Sequence, residues 1–142
     1  MICVTAMNQL PDPSRRQSLR RSLYVALSGL WDTCRRERNL QIQLAVAVVA
    51  IVCGALCQFS PLEWGGLALC IGFVLGMETM NSAVEAVVDL ASPEWHSLAK
   101  RAKDAAAGAT LVSAMAAVAF GLSVFGPRLL EFCGLWTNVS QL

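Results

Sequence analysis

Glu78, Asn81, Glu85 and Asp89 punctuate a stretch that otherwise reads as a membrane-spanning helix. On a helix turning about 100° per residue, these positions fall within an arc of roughly 80°. One face of an apolar helix therefore carries three carboxylates and an amide. Acids at membrane depth are costly to bury and mark function. Their oxygens suit Mg²⁺, which takes one or two carboxylates and completes its shell with phosphate and water. Just downstream, Lys100, Arg101 and Lys103 supply cations that can hold phosphate oxygens. A carboxylate left free of metal can accept a proton from a hydroxyl. Together these groups describe phosphoryl transfer to an alcohol embedded in a membrane. The same acids would serve a proton relay or an ion pathway, and residue types alone leave both readings open. No GxxxxGK[ST] loop occurs and no GxGxxG opens a helix, which excludes P-loop and protein-kinase relatives.

The chain around this stretch is apolar. Of 142 residues, 56% are hydrophobic and 15% charged, with a mean hydropathy of +0.54. Soluble domains are nearer about 25% charged, so composition points to one membrane domain. The net charge of +1 predicts no nucleic-acid partner. The cysteines, Cys3, Cys34, Cys53, Cys57, Cys70 and Cys133, form no CxxC pair and read as packing residues. With His96 the single histidine, a zinc site is not expected. No secretory signal precedes Arg15-Arg16, and Met1 to Ser14 reads as a loose tail.

The elements that must position the acids follow from charge and spacing. From about Arg16 to Arg38, Leu19, Leu23, Leu27, Leu30 and Cys34 recur at helical spacing among arginines. This predicts an amphipathic helix on an anionic membrane surface, with Arg15, Arg16, Arg20 and Arg21 at lipid headgroups. The first span is expected over 40–59, within a run free of charge from Leu40 to Leu62. Gln58-Phe59-Ser60-Pro61 then makes a turn with Pro61 as the breaker, and Glu63 is expected to be solvated, as is Glu94. A second span runs over 64–88, where Gly65, Gly66, Gly72 and Gly76 permit close helix approach. Ser92 as N-cap and Pro93 at the first helical position predict a short surface helix through Arg101. A third span over 105–126 ends at Pro127 and Arg128, and a tail over 129–142 rests Phe132, Leu135 and Trp136 at the interface. The fold class is all-α integral membrane: an N-terminal amphipathic surface helix plus three transmembrane helices, with the working domain over 15–128.

Ten of the 11 basic residues precede the first span or lie between the second and third. The positive-inside rule then places the N-terminus and the loop 89–104 in the cytoplasm and the C-terminus outside. Glu37, where the surface helix meets the first span, stands at a depth similar to the acids and could complete their site. Three spans shield so many acids poorly, which favours self-association.

The run Glu78-x-x-Asn81-Ser82-Ala83-x-Glu85-Ala86-Val87-Val88-Asp89, then His96 and Ala102-Lys103-Asp104, resembles the signature of the prokaryotic diacylglycerol kinase family. These are small three-span lipid kinases with an undecaprenol kinase branch, and the resemblance covers roughly residues 18 to 125. It implies phosphorylation of a lipid hydroxyl by ATP with Mg²⁺, in a bacterial inner membrane. It also implies a homotrimer whose sites are shared between neighbouring subunits. Carried over, Glu78 is the catalytic base and touches the lipid; Glu37 and Glu85 are metal ligands that also contact the nucleotide. Glu94, Trp95, His96, Lys103 and Asp104 would bind nucleotide, Asn81 and Asp89 would support the polar site, and Gly29 fits the surface-helix pattern near the lipid. Trp95 stands where tyrosine is common, and Val25, beside Tyr24, where some members place one. Gln41 and Gln43 replace residues that are often Arg and His or Glu. Diacylglycerol is the family-level substrate. Glu37-Arg38-Asn39 and Ser92-Pro93-Glu94-x-His96-x-Leu98-Ala99-Lys100 look more like the undecaprenol branch.

Overall fold

The computed structural model describes residues 18–132, and these are helical apart from short connections. The chain divides into two compact units, Met1–Asp32 and Thr33–Leu142. The helices are α1 (Leu19–Arg36), α2 (Arg38–Leu56), α3 (Pro61–Ala91) and α4 (Ser97–Phe132). The expected tail 1–14, Arg15 and Arg16, and residues 133–142 with Leu135 and Trp136 lie outside the described residues. α1 buries none of its residues.

α2, α3 and α4 are each long and apolar enough to cross a bilayer. The 19 residues of α2 rise about 28 Å, close to the hydrocarbon thickness, whereas α3 with 31 rises about 46 Å and α4 with 36 about 54 Å. The two longer helices therefore outrun the apolar layer, and the surplus carries their polar ends. Large side chains such as Val46, Leu69 and Leu111 stay exposed around the bundle. In water such a surface would aggregate; lipid solvates it. The chain is an integral membrane protein.

The α2–α3 hairpin is closed by local chemistry. Gln58 adopts φ 53°, the left-handed conformation that lets a helix stop. Its N–H donates to Ala55 O, and the Phe59 N–H donates to Gly54 O, a complete Schellman motif. Gly54 matters here: a Cβ would stand 3.1 Å from the Phe59 ring, which lies against it. Ser60 then caps α3 reciprocally. Its Oγ accepts from the Glu63 N–H at 3.4 Å, and Glu63 Oε2 accepts from the Ser60 N–H at 2.7 Å. Pro61 occupies the first helical position, where no N–H is needed. It starts α3 more than it breaks anything.

α3 is the middle helix of this unit, packed on α2 and on α4. Gly66 brings α3 and α4 close, since a Cβ there would lie 2.4 Å from Phe120 Cζ. Three expectations are corrected. No separate surface helix precedes the third span: residues 97–105 contain no breaker, so one helix runs from Ser97 onward, and Ser92 instead ends α3. Pro127 lies inside α4 and does not stop it, with Arg128 Nη1 donating to Val124 O beside it. Glu63 is not left to water: Arg128 Nη1 lies 2.7 Å from its Oε1 and Nη2 donates to Oε2 at 3.0 Å.

Candidate active site

The acids of α3 form a graded series along its length. Glu78 is 3% exposed, Glu85 is half-buried and Asp89 is exposed. Eleven residues at about 1.5 Å each separate the first from the last by about 16 Å. A single helix thus carries carboxylates from the packed interior out to the helix end.

Each position meets a different partner. Gln43, in the second turn of α2, donates its Nε2 hydrogen to Glu78 Oε2 at 3.1 Å. One turn on, Asn81 Nδ2 donates to Glu85 Oε1 at 3.1 Å, which follows from their spacing of four residues. At the helix end, Lys103 Nζ of α4 donates to Asp89 Oδ1 at 2.6 Å. Thr110 Oγ1 adds a weak bridge from α4 to Met77 O at 3.4 Å. Lys100 pairs with Asp104 one turn along α4, both exposed. His96 caps α4, its Nδ1 accepting the Leu98 N–H at 3.2 Å, while Trp95 and Glu94 stand exposed in the connection. Glu37 is the half-buried N-cap of α2. Gly29 lies in α1, in the first unit.

Two buried oxygens find no partner among the described residues, Gln43 Oε1 and Asn81 Oδ1. Both belong to amides whose donor half is committed to a carboxylate. Buried polar atoms are almost always paired, and exceptions concentrate at functional sites. No group of three His, Cys, Asp or Glu side chains suited to a metal occurs among the described residues. That rules out an all-carboxylate cage within them, but not Mg²⁺, whose shell is largely phosphate and water. Glu85 and the unpaired Asn81 oxygen are hard donors on one face, and they fit such an ion.

Beside Gln43 an apolar cavity of about 330 Å³ opens between α2 and α4 over α3. Ile42, Val46, Leu67, Val74, Ala117 and Phe125 are among its walls, and Gln43 alone among the lining residues carries an amide. Sequence reasoning singled out Gln43 only as a departure from a pattern. An amide inside an uncharged span was the available signal, because such a residue needs a partner.

Three bilayer-length helices with a carboxylate held in their packed interior define a membrane protein with a polar site built into its spans. Residues 24–125 match the prokaryotic diacylglycerol kinase family. Over 109 residues the chain is 43% identical to an undecaprenol kinase of Bacillus subtilis, covering 77% of this chain and 89% of that one. It is 37% identical over 111 residues to a diacylglycerol kinase of Synechocystis sp., covering 78% and 63% respectively. A diacylglycerol kinase of Helicobacter pylori is 30% identical over 109 residues, with 75% and 85% covered. The chain belongs to the prokaryotic diacylglycerol kinase family, as the run from Glu78 to Asp104 led one to expect. It is a kinase of that family.

Proposed function

We propose that this chain transfers the γ-phosphoryl group of ATP to the hydroxyl of a membrane lipid, with undecaprenol as the acceptor. The observation that carries the reading is a carboxylate, Glu78, 3% exposed beside an amide that lines an apolar cavity. A lipid tail in that cavity would bring its hydroxyl to the Glu78 layer. Glu78 accepts the hydroxyl proton as the lipid oxygen bonds to the γ-phosphorus. The bond from that phosphorus to the bridging oxygen breaks, and ADP leaves. Lys103 holds phosphate oxygens, with Asp89 fixing its ammonium and Asn81 fixing Glu85. Glu37 and Glu85 would hold Mg²⁺, which when bound offsets the phosphate charge. Glu94, Trp95, His96 and Asp104 would serve the nucleotide side.

Undecaprenol is favoured by the 43% relative and by the Glu37-Arg38-Asn39 triplet. Diacylglycerol is the second reading, supported by the relatives at 37% and 30%. The exposed apolar helix faces and the graded acids support self-association into a trimer in a bacterial inner membrane. The basic residues flanking the acids support a cytoplasmic N-terminus and an external C-terminus.

The test is a lipid panel in mixed micelles with labelled ATP and Mg²⁺. Label in undecaprenyl phosphate exceeding label in phosphatidic acid supports the reading, and the reverse order replaces undecaprenol with diacylglycerol. Label in neither lipid, together with an ion flux in liposomes that needs no ATP, would overturn the kinase mechanism in favour of conduction.

A further inference from the structure

We propose that Gln43 is the positioning residue for Glu78, fixing its carboxylate for proton abstraction. The inference rests on the kinase reading above and adds to it a residue from the first span.

A carboxylate can only accept hydrogen bonds, so the Gln43 amide must turn its nitrogen toward Glu78. That donation, from Nε2 to Oε2 at 3.1 Å, joins α2 to α3 across 35 residues of sequence. It leaves Gln43 Oε1 buried, with no partner among the described residues. An unpaired buried acceptor is destabilising, so a purely structural residue here would be better apolar. Every other residue lining the adjoining cavity lacks an amide, which shows that apolar side chains fit this layer. What the amide supplies that they lack is one N–H aimed at the buried carboxylate.

The surroundings leave that task to Gln43. The neighbouring hydroxyls are engaged with backbone: Ser82 Oγ donates to Glu78 O at 3.1 Å, and Thr79 Oγ1 donates to Leu75 O at 2.8 Å. On α4, buried Ser113 donates to Thr110 O at 2.7 Å. A carboxylate swings about two side-chain torsions before its plane is set. One donor from a second helix holds one oxygen and leaves the other to meet the substrate. Misplacing a reacting group by about 1 Å costs up to about 100-fold in rate.

The test is a cycle of four proteins: wild type, Gln43→Met, Glu78→Gln and the double variant. Methionine keeps length and volume and removes the N–H. We expect kcat for the lipid to fall about 10- to 100-fold in Gln43→Met, with the ATP KM within about twofold. In the Glu78→Gln background the same substitution should change kcat by no more than about twofold, because its effect runs through Glu78. A comparable loss in both backgrounds, or a Gln43→Met kcat near wild type, would overturn the proposal. If Gln43→Met does not fold, Gln43→Asn takes its place, since it withdraws the amide by one methylene. A second readout needs no turnover. The infrared carboxylate band of Glu78, isolated as the difference from Glu78→Gln, should shift when Gln43 is replaced. An unmoved band contradicts the proposal even if wild type phosphorylates no lipid, in which case the kinase reading fails by itself.

Discussion

Glu63 stands in the first turn of α3 and Glu78 near its middle, and only one of them is saturated with partners. Glu63 receives the Ser60 N–H at 2.7 Å, the Ser60 hydroxyl at 2.8 Å and both guanidinium nitrogens of Arg128. Arg128 in turn covers the Phe59 ring at 5.0 Å, and Phe59 packs on Phe125 at 4.8 Å and Trp64 at 5.7 Å. Both oxygens of Glu63 are engaged within the chain. Glu78, more deeply buried, has Gln43 alone as its side-chain donor among the described residues, and the Gln43 and Asn81 oxygens of this helix pair find no partner among them. On the proposed mechanism, the difference separates a structural acid from a working one. An acid whose partners are complete closes a hairpin; an acid left with open valences waits for a ligand.

The largest effect that would break this contrast is on Glu78. We expect Glu78→Gln to lower turnover by about 10²- to 10⁴-fold, the range for removing a general base. Nucleotide binding, measured by equilibrium titration, should persist. Turnover near wild type would place Glu78 with Glu63 among structural acids.

A smaller effect is expected at the outer end of the series. Lys103 and Asp89 are 37% and 67% exposed, and exposed pairs add little stability. Their pairing matters for where the ammonium stands. Asp89→Asn should raise the ATP KM by about three- to tenfold, the size of one weakened charged hydrogen bond, and more than it lowers kcat. Steady-state kinetics against ATP decide it, and an unchanged KM would detach the pair from nucleotide binding.

The periodicity of α3 was legible because four polar residues on one arc of an apolar helix leave no other arrangement. That there are three apolar spans was legible from the absence of charge, but their lengths were not: α4 begins at Ser97, well before the expected span, and runs past Pro127. Partners distant in sequence were not: Gln43 lies 35 residues from Glu78, and Arg128 lies 65 from Glu63. Spacing rules cover one helix, and such pairs are set by how helices pack. Some misreadings were local. Ser60-Pro61-Leu62-Glu63 has the capping-box pattern, which ties Glu63 to Ser60, whereas a lone charge in a hairpin points to solvent. Pro127 looked like a stop because helix-breaking rules come from water, where a lost N–H bond is easily replaced. In a span the helix is the cheaper arrangement, and Arg128 reaches back to Val124 O across that turn.

The smallest effect on catalysis and the clearest on folding belong to the hairpin end. Arg128→Leu removes the guanidinium from Glu63, from Val124 O and from the Phe59 ring at once. Ser60→Ala removes only the hydroxyl half of the cap, leaving the backbone N–H on Glu63, and should cost about 1 kcal/mol. We expect both to lower the melting temperature in detergent, Arg128→Leu by more, because it also unties α4 from the start of α3. Neither residue lies near the Glu78 layer, some 15 residues or about 22 Å along α3 from Glu63. Lipid kinase kcat, assayed well below the melting point, should therefore stay within about twofold of wild type. A large loss of kcat without loss of stability would mean that the two ends of α3 are coupled. The distinction between a saturated and an open acid would then no longer separate structure from function.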